Sequence, residues 1–248
     1  MPLEKVSIVI PCYNEEKRFR CDHTARFLEK NDHISLILVN DGSTDGTAAI
    51  LESLARKFPD RCRLIHLEKN RGKAEAVRHG LLQAFSGPVK YAGYWDADFS
   101  TPLPVINDFA RILDIRPDLY MVIGSRVLLL GRSIERSPFR HYLGRVFATA
   151  ASMLLDLKVY DTQCGAKLFR VCPEIRRLFE PEFMTRWVFD VEIIARWIKN
   201  QQQLRLPPAE EVIYEYALKE WRHVKGSKIG LGDAFSILSD LITIYRQY

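Results

Sequence analysis

Asp96 and Asp98, one residue apart at the close of the apolar run Tyr91 to Trp95, are the side chains whose types and spacing most directly suggest chemistry. If that run is a β-strand, side chains two apart share a face. Both carboxylates then aim into whatever lies beyond the strand's carboxyl end. Two unpaired carboxylates repel, so the arrangement calls for a cation beside them. Oxygen-only ligands favour a hard ion such as Mg²⁺ or Mn²⁺, completed by the phosphate oxygens of a substrate. An ordinary polar turn after a strand would carry the same two residues.

Other segments bear on that choice. Pro11-Cys12-Tyr13-Asn14-Glu15-Glu16 and Asn40-Asp41-Gly42-Ser43-Thr44-Asp45 each follow an apolar run. A carboxylate such as Asp41 can accept a hydrogen from a nucleobase, and Tyr13 can pack on a ring. Taken singly, Asp-Gly-Ser-Thr reads equally as a turn with a helix cap. Asn70-Arg71-Gly72-Lys73 opens a helical pattern, where a lysine beside unpaired backbone N–H groups suits a phosphate; a solvated surface lysine is the plainer reading. Arg126 ends another apolar run, and Arg136 and Arg140 lie one helical turn apart. Arginine is the natural bidentate partner of phosphate, although a basic, solvated helix face explains the latter two as well.

These segments need elements to hold them. Strands are expected at Val6 to Pro11, Ser35 to Asn40, Arg63 to Leu67, Tyr91 to Trp95 and Leu119 to Ser125. Helical patterns lie between them: a stretch through Leu28, Thr47 to Phe58, Lys73 to Phe85 and Leu103 to Leu113. Such alternation predicts an α/β fold with a Rossmann-like, mostly parallel central sheet flanked by helices, which binds ligands at the carboxyl ends of its strands. The second half is less regular. A basic amphipathic helix is expected over Arg136 to Leu155, a strand over Thr162 to Arg170, a helix over Arg186 to Lys199, a strand over Val212 to Ala217 and a terminal helix over Leu231 to Tyr245.

Composition sets the bounds. The 248 residues contain 47% apolar side chains and carry a formal charge of +5, enough for a real core and too little basic excess to imply nucleic acid. With no repeat and no Gly-, Ser- or Pro-rich linker, residues 1–248 are expected to form one domain. Five cysteines lack metal-binding spacing, and the odd count with no signal peptide suggests a reducing compartment. No apolar run approaches the ~20 residues that span a bilayer. The expectation is a cytoplasmic protein, peripheral at most on the inner face of a membrane. Two segments could make that contact: the apolar Leu128 to Leu130, and the terminal stripe Leu231, Phe235, Leu238, Ile242 and Tyr245, which would equally serve to pack the helix on a core.

Taken together, the motifs resemble the family 2 inverting glycosyltransferases of GT-A fold, over essentially the whole chain. Ile8-Val9-Ile10-Pro11 with Tyr13-Asn14-Glu15-Glu16, Val39-Asn40-Asp41-Gly42-Ser43, Gly72-Lys73 and Asp96-Ala97-Asp98 carry the general pattern. Asp161-Thr162-Gln163-Cys164-Gly165-Ala166-Lys167-Leu168-Phe169 is similar to the signature of the dolichyl-phosphate β-glucosyltransferase group, as are Arg186 to Glu192 and Trp221 with Gly226-Ser227-Lys228. Ala166 stands where the group has Phe, and Arg222, His223, Val224 and Lys225 replace a stretch that often holds an acidic residue. The group's eukaryotic members carry an N-terminal membrane anchor, whereas this chain starts almost directly on its first strand.

The resemblance implies roles. Pro11, Tyr13, Glu15 and Asp41 would line a nucleoside pocket, Lys73 would approach the diphosphate, Asp96 would hold nucleotide, sugar or metal, and Asp98 the metal. Arg126, Arg136 and Arg140 would hold an acceptor phosphate; Asp161, Gln163 and Trp187 would shape the sugar and acceptor pocket. It implies inverting transfer of a hexose, foremost glucose from UDP-glucose, to a lipid-linked polyprenyl or dolichyl phosphate. A phosphate monoester is largely ionised near neutral pH, its second pKa being about 6, so it needs positioning more than a base. A hydroxyl acceptor would need a base, with Asp190 or Glu192 as the candidates beside Asp98. Another nucleotide sugar such as GDP-mannose, a soluble hydroxyl acceptor, or a sugar-nucleotide-binding module without turnover are the alternatives.

Overall fold

The computed structural model describes residues 4–135, 138–224 and 233–248, without the side chains of 138–143 and 233–238. Four strands and the helices between them follow the sequence pattern closely. They are β1 (Val6–Cys12), α1 (Cys21–Lys30), β2 (Ile34–Asp41), α2 (Thr47–Lys57), β3 (Cys62–Leu67), α3 (Lys73–Ala84), β4 (Tyr91–Trp95) and α4 (Val105–Ile115). Then come β5 (Met121–Ser125), the short β6 (Ser133–Ile134), α5 (Pro138–Leu155), β7 (Ala166–Arg170), α6 (Pro173–Arg177), α7 (Phe189–Leu204), α8 (Ala209–Val212), β8 (Ile213–Ala217), β9 (Glu220–Trp221) and α9 (Asp233–Gln247).

Seven strands form one sheet in the order β3-β2-β1-β4-β7-β5-β8. Every pairing is parallel except those of β7, which runs against β4 and β5 on either side. In an open parallel sheet the crevice lies at the carboxyl ends of the strands. The reversed β7 therefore presents its amino end at that edge, bringing the loop Asp161 to Gly165 beside the residues that follow β4. A second, two-stranded sheet pairs β6 with β9.

The period-2 alternation of the strands sorts the core into two layers. Val9, Ile37, Val39, Tyr94, Met121 and Ile123 face a cluster with Val77 and Leu81 of α3, and Trp197 of α7. Val6, Ile8, Ile10, Leu36, Leu38 and Val122 face the other, with Leu28 of α1, Leu54 of α2 and Phe109 of α4. Helix α3 lies unusually close to the sheet because Gly80 meets β1: a Cβ there would sit 2.4 Å from Cγ1 of Val9. That close docking fixes the height at which Lys73, the first residue of α3, stands above the crevice. Of the terminal apolar stripe, Ile242 and Tyr245 point outward, and Leu231 and the side chains of Phe235 and Leu238 lie outside the described residues; it is Leu241 and Ile244, not in the stripe, that anchor α9 to the core. Among the described residues no helix is long and apolar enough to cross a membrane.

Candidate active site

The loops after β1 and β2 are stitched to one another. Asn14, in the left-handed region (φ 49°), donates its backbone N–H to Oγ of Ser43 (3.0 Å), and its Oδ1 accepts the N–H of Thr44 (2.9 Å). The N–H of Glu15 donates to Oγ1 of Thr47 (2.7 Å). Pro11 and Tyr13 remain half-buried on this surface, where a nucleoside is expected. Glu15 is buried, and its carboxylate is gripped by Arg18, whose Nε donates at 2.8 Å. Asp41, also buried, accepts the N–H groups of Arg71 (2.7 Å) and Gly72 (2.9 Å), one on each oxygen. Asp41 thus fixes the turn that launches α3. Gly72 takes φ 93° in that turn, a conformation glycine adopts without the Cβ penalty.

Lys73 extends from this turn to Oδ1 of Asp96 at 2.5 Å. Burial works against the ammonium charge, but Asp96, Asp190 and Asp98 together hold its pKa above the ordinary range. The two aspartates do not share a strand face, as the sequence reading expected. Strand β4 ends at Trp95, and Asp96 to Asp98 form a turn closed by the N–H of Phe99 on the carbonyl of Asp96 (3.1 Å). Phe99 is left-handed (φ 51°), held by packing of its ring on Phe19 with centroids 5.5 Å apart. Asp98 Oδ1 accepts the N–H of Ser100 at 2.9 Å. A turn, not a pleat, therefore brings both carboxylates to Lys73. Their Oδ2 atoms have no hydrogen bond among the described residues. That donor set fits a hard divalent ion whose shell is completed by the phosphate oxygens of a substrate; among the described residues no group of three acidic, His or Cys side chains is placed to hold a metal by itself. Asp96 also rests on Gly165: its N–H donates to the Gly165 carbonyl (2.9 Å), and a Cβ on Gly165 would lie 1.8 Å from Asp96 Oδ2.

The loop that supplies Gly165 also carries Asp161, which binds Arg126 in a fork: Nε to Oδ2 at 2.6 Å and Nη2 to Oδ1 at 2.7 Å. Arg126 lies over Trp221 of β9, 5.6 Å from the ring centroid. Burial alone would depress the guanidinium pKa; Asp161 foremost, with Asp96 contributing, holds it above the ordinary range. Asp96 and Arg126 thus feel each other's charge. Glu215 of β8 fixes the loop from behind, accepting the N–H groups of Tyr160 (2.9 Å) and Asp161 (2.8 Å). Gln163 donates its N–H to Asp161 at 3.1 Å, while its side-chain Nε2 is buried without a hydrogen-bond partner. Arg136 and the side chain of Arg140 lie outside the described residues.

The carboxylates expected on α7 divide. Asp190 is buried, its Oδ1 bonded by both Nζ of Lys167 and the hydroxyl of Tyr94. Lys167 also donates to the carbonyls of Thr162 and Cys164, both at 2.9 Å, tying Asp190 to the loop of Gly165. Glu192, expected as a candidate base, is instead fully buried. It accepts from Arg196 (2.8 Å), the N–H of Met184 (3.1 Å to Oε2) and the Tyr248 hydroxyl (3.2 Å), which pins the segment before α7. Trp187 is half-buried against the core beside that segment. Sequence reasoning missed Arg18, Lys167, Tyr94 and Glu215. The i, i+3 spacing of Glu15 and Arg18, and a lysine inside the apolar strand β7, were the available signals.

Comparison with known proteins is consistent with this geometry. The model of the family described as Glycosyl transferase family 2 matches residues 7–172. A dolichyl-phosphate beta-glucosyltransferase of Dictyostelium discoideum is 32% identical over 266 residues, covering 100% of this chain and 76% of that protein. The Homo sapiens protein of the same name is 34% identical over 242 residues, covering 92% and 70%. Among solved structures, glucosyl-3-phosphoglycerate synthase from Mycobacterium tuberculosis, in complex with Mn²⁺, UDP-glucose and phosphoglyceric acid, superposes with a TM-score of 0.67 at 18% identity, over 98% of this chain and 80% of that one. That likeness concerns the GT-A fold.

Proposed function

The chain belongs to glycosyl transferase family 2, and from that premise we propose that it transfers glucose from UDP-glucose, with inversion, to the phosphate of a dolichyl or similar polyprenyl phosphate at a membrane surface. The names of its relatives support the sugar and the acceptor. The observation that carries the reading is the shared loop: Gly165 backs Asp96 on the donor side, and Asp161 forks Arg126 on the acceptor side. One segment thereby sets the distance between leaving group and nucleophile, which is the positional demand of a direct displacement. The sheet draws its strands from Val6 through Ala217, in keeping with one catalytic unit.

In this reading the stitched loops of Tyr13 and Asp41 hold the nucleoside, and Lys73 meets the diphosphate. Oδ2 of Asp96 and of Asp98 would hold Mg²⁺ or Mn²⁺, which when bound offsets charge on the departing UDP. Arg126, made rigid by Asp161 and Trp221, orients the acceptor phosphate. That phosphate is already anionic, so no side chain need remove a proton. Asp190, committed to Lys167 and Tyr94, acts by holding the loop rather than as a base.

The test is a donor panel (UDP-glucose, UDP-galactose, GDP-mannose) with a short polyprenyl phosphate and Mg²⁺ or Mn²⁺. UDP-glucose should give an acid-labile glucosyl-phosphoryl lipid, abolished by EDTA. Asp161→Asn should raise the acceptor KM at least about tenfold, since one charge-assisted fork contact is lost, while the UDP-glucose KM stays within twofold. Preference for GDP-mannose, or transfer to hydroxyl acceptors while phosphates stay inert, would overturn the proposal.

A further inference from the structure

Immediately after the acceptor arginine the chain does something a folded surface seldom does. Leu128, Leu129 and Leu130 follow one another at 53%, 49% and 104% exposure. Scattered exposed apolar residues are ordinary, but a contiguous apolar projection marks an interaction site. The projection is held at both ends. Arg126 on its near side is clamped by Asp161 and packed on Trp221. Beyond it, the N–H of Arg132 closes a turn on the Leu129 carbonyl (3.1 Å), Gly131 takes φ 78°, and the N–H of Ser133 donates to Lys219 (2.9 Å) as β6 joins β9. The leucines thus form the tip of a braced knuckle with an arginine on either side.

We infer that this knuckle inserts into the headgroup–acyl boundary of a membrane carrying anionic lipid, and so sets the height of the site above the bilayer. The pattern is that of an interfacial anchor: apolar side chains at the tip and the half-buried Arg132 at its base, on a chain of net charge +5. The inference rests on the proposed lipid-phosphate acceptor in one respect. A lipid whose phosphate sits at Arg126 must have its tail in a bilayer, and the leucines begin two residues further on. The outward Ile242 and Tyr245 of α9 have no such continuity with the site.

Sedimentation of the full chain with vesicles of phosphatidylcholine containing a minority of phosphatidylserine, at low salt and without acceptor or donor, tests the inference independently of the reaction. The wild type should pellet with the vesicles. The triple variant Leu128→Ser, Leu129→Ser, Leu130→Ser should bind at least tenfold less, and Leu130→Ser alone partially less. The triple variant should keep wild-type turnover of a short, water-soluble isoprenyl phosphate and lose turnover of a long-chain acceptor embedded in vesicles. Equal vesicle binding by variant and wild type would overturn the inference. So would a wild type that ignores vesicles but elutes as a dimer that the variant abolishes, since a second copy would then cover the leucines. Vesicle binding that depends on the leucines, with no transfer to either acceptor, would refute the proposed function and leave the anchor standing.

Discussion

Replacing Asp190 by Asn keeps the shape of the side chain and removes its charge, which makes it the sharpest probe of how the two halves of the site are joined. Lys167 and Asp190 are 1% and 2% exposed, and the ammonium has three contacts: Asp190 and the carbonyls of Thr162 and Cys164. Without the carboxylate, a buried cation is left facing neutral acceptors. Breaking a buried pair by removing one partner costs about 3–5 kcal/mol. In a protein of this size each kcal/mol lowers the melting temperature by roughly 2–4 °C, so the Asp190→Asn midpoint should fall by roughly 6–20 °C. The partner change Lys167→Met should destabilise comparably, leaving the buried Asp190 with no cation and only the Tyr94 hydroxyl, and two carbonyls without the Lys167 donor. The double variant should be less destabilised than the sum of the singles, by about 1–3 kcal/mol. Urea and thermal unfolding followed by circular dichroism would measure all four corners of the cycle, with turnover assayed well below each transition. A loss under ~1 kcal/mol for Asp190→Asn, or strict additivity in the double variant, would refute the argument that this pair holds the Thr162–Cys164 loop in place.

Two further outcomes follow from particular atoms. Gly165→Ala places a Cβ 1.8 Å from Oδ2 of Asp96, so Asp96 must turn away; metal-dependent UDP-glucose turnover should drop at least a hundredfold with the melting temperature little changed, and near-normal turnover would show that the carboxylate does not need its present seat. Burial pushes the thiol of Cys62 up from 9.0 to about 12 and that of Cys164 up from 9.0 to about 11. The folded protein therefore binds these protons more tightly than the unfolded chain, and their stabilisation, complete below about pH 9, is lost as pH rises through 11 and 12. Urea midpoints should decline over that window, and at pH 8 a thiol reagent should label Cys62 and Cys164 only after unfolding; rapid labelling of the native protein would contradict the assignment.

Much of this arrangement was legible in the sequence because local chemistry dictates it. Alternation in Val6 to Cys12 and Ile34 to Asp41 sorts side chains to two helical layers, and the boundaries of β1 to β5 and β8 follow within two residues, whereas β7 begins at Ala166, four residues after the start expected at Thr162. The placement of Lys73 at a helix start was readable from Gly72 before it. What could not be read was long-range. The strand after α5 was expected, but nothing in Ala166 to Arg170 states its direction, and the meeting of Gly165 with Asp96 depends on that reversal. The pleat argument for Asp96 and Asp98 failed because β4 ends at Trp95 and a turn follows, closed by the N–H of the left-handed Phe99 on the Asp96 carbonyl. Glu192 was a base candidate only for a hydroxyl acceptor; its i, i+4 partner Arg196, with which it forms a buried pair, was a signal of a structural role that the sequence also held.

The reversed strand has a consequence for the order in which the molecule can be built. Strands β1 to β4 pair among themselves, but β5 finds its only sheet neighbours in β7 and β8, both made later in the chain. Pairings between residues distant in sequence carry the larger loop-closure cost and form slowly. A chain newly emerged as far as α5 can therefore hold the loops proposed to bind the nucleoside in near-final form while Asp96 has no Gly165 to rest on and Arg126 no Asp161. Pulse-labelled hydrogen exchange during refolding should accordingly protect β1 and β2 before β7, and simultaneous protection would contradict that order. Nucleotide recognition would thus mature ahead of the capacity to transfer, the two being joined only when the last central strand slides into its slot.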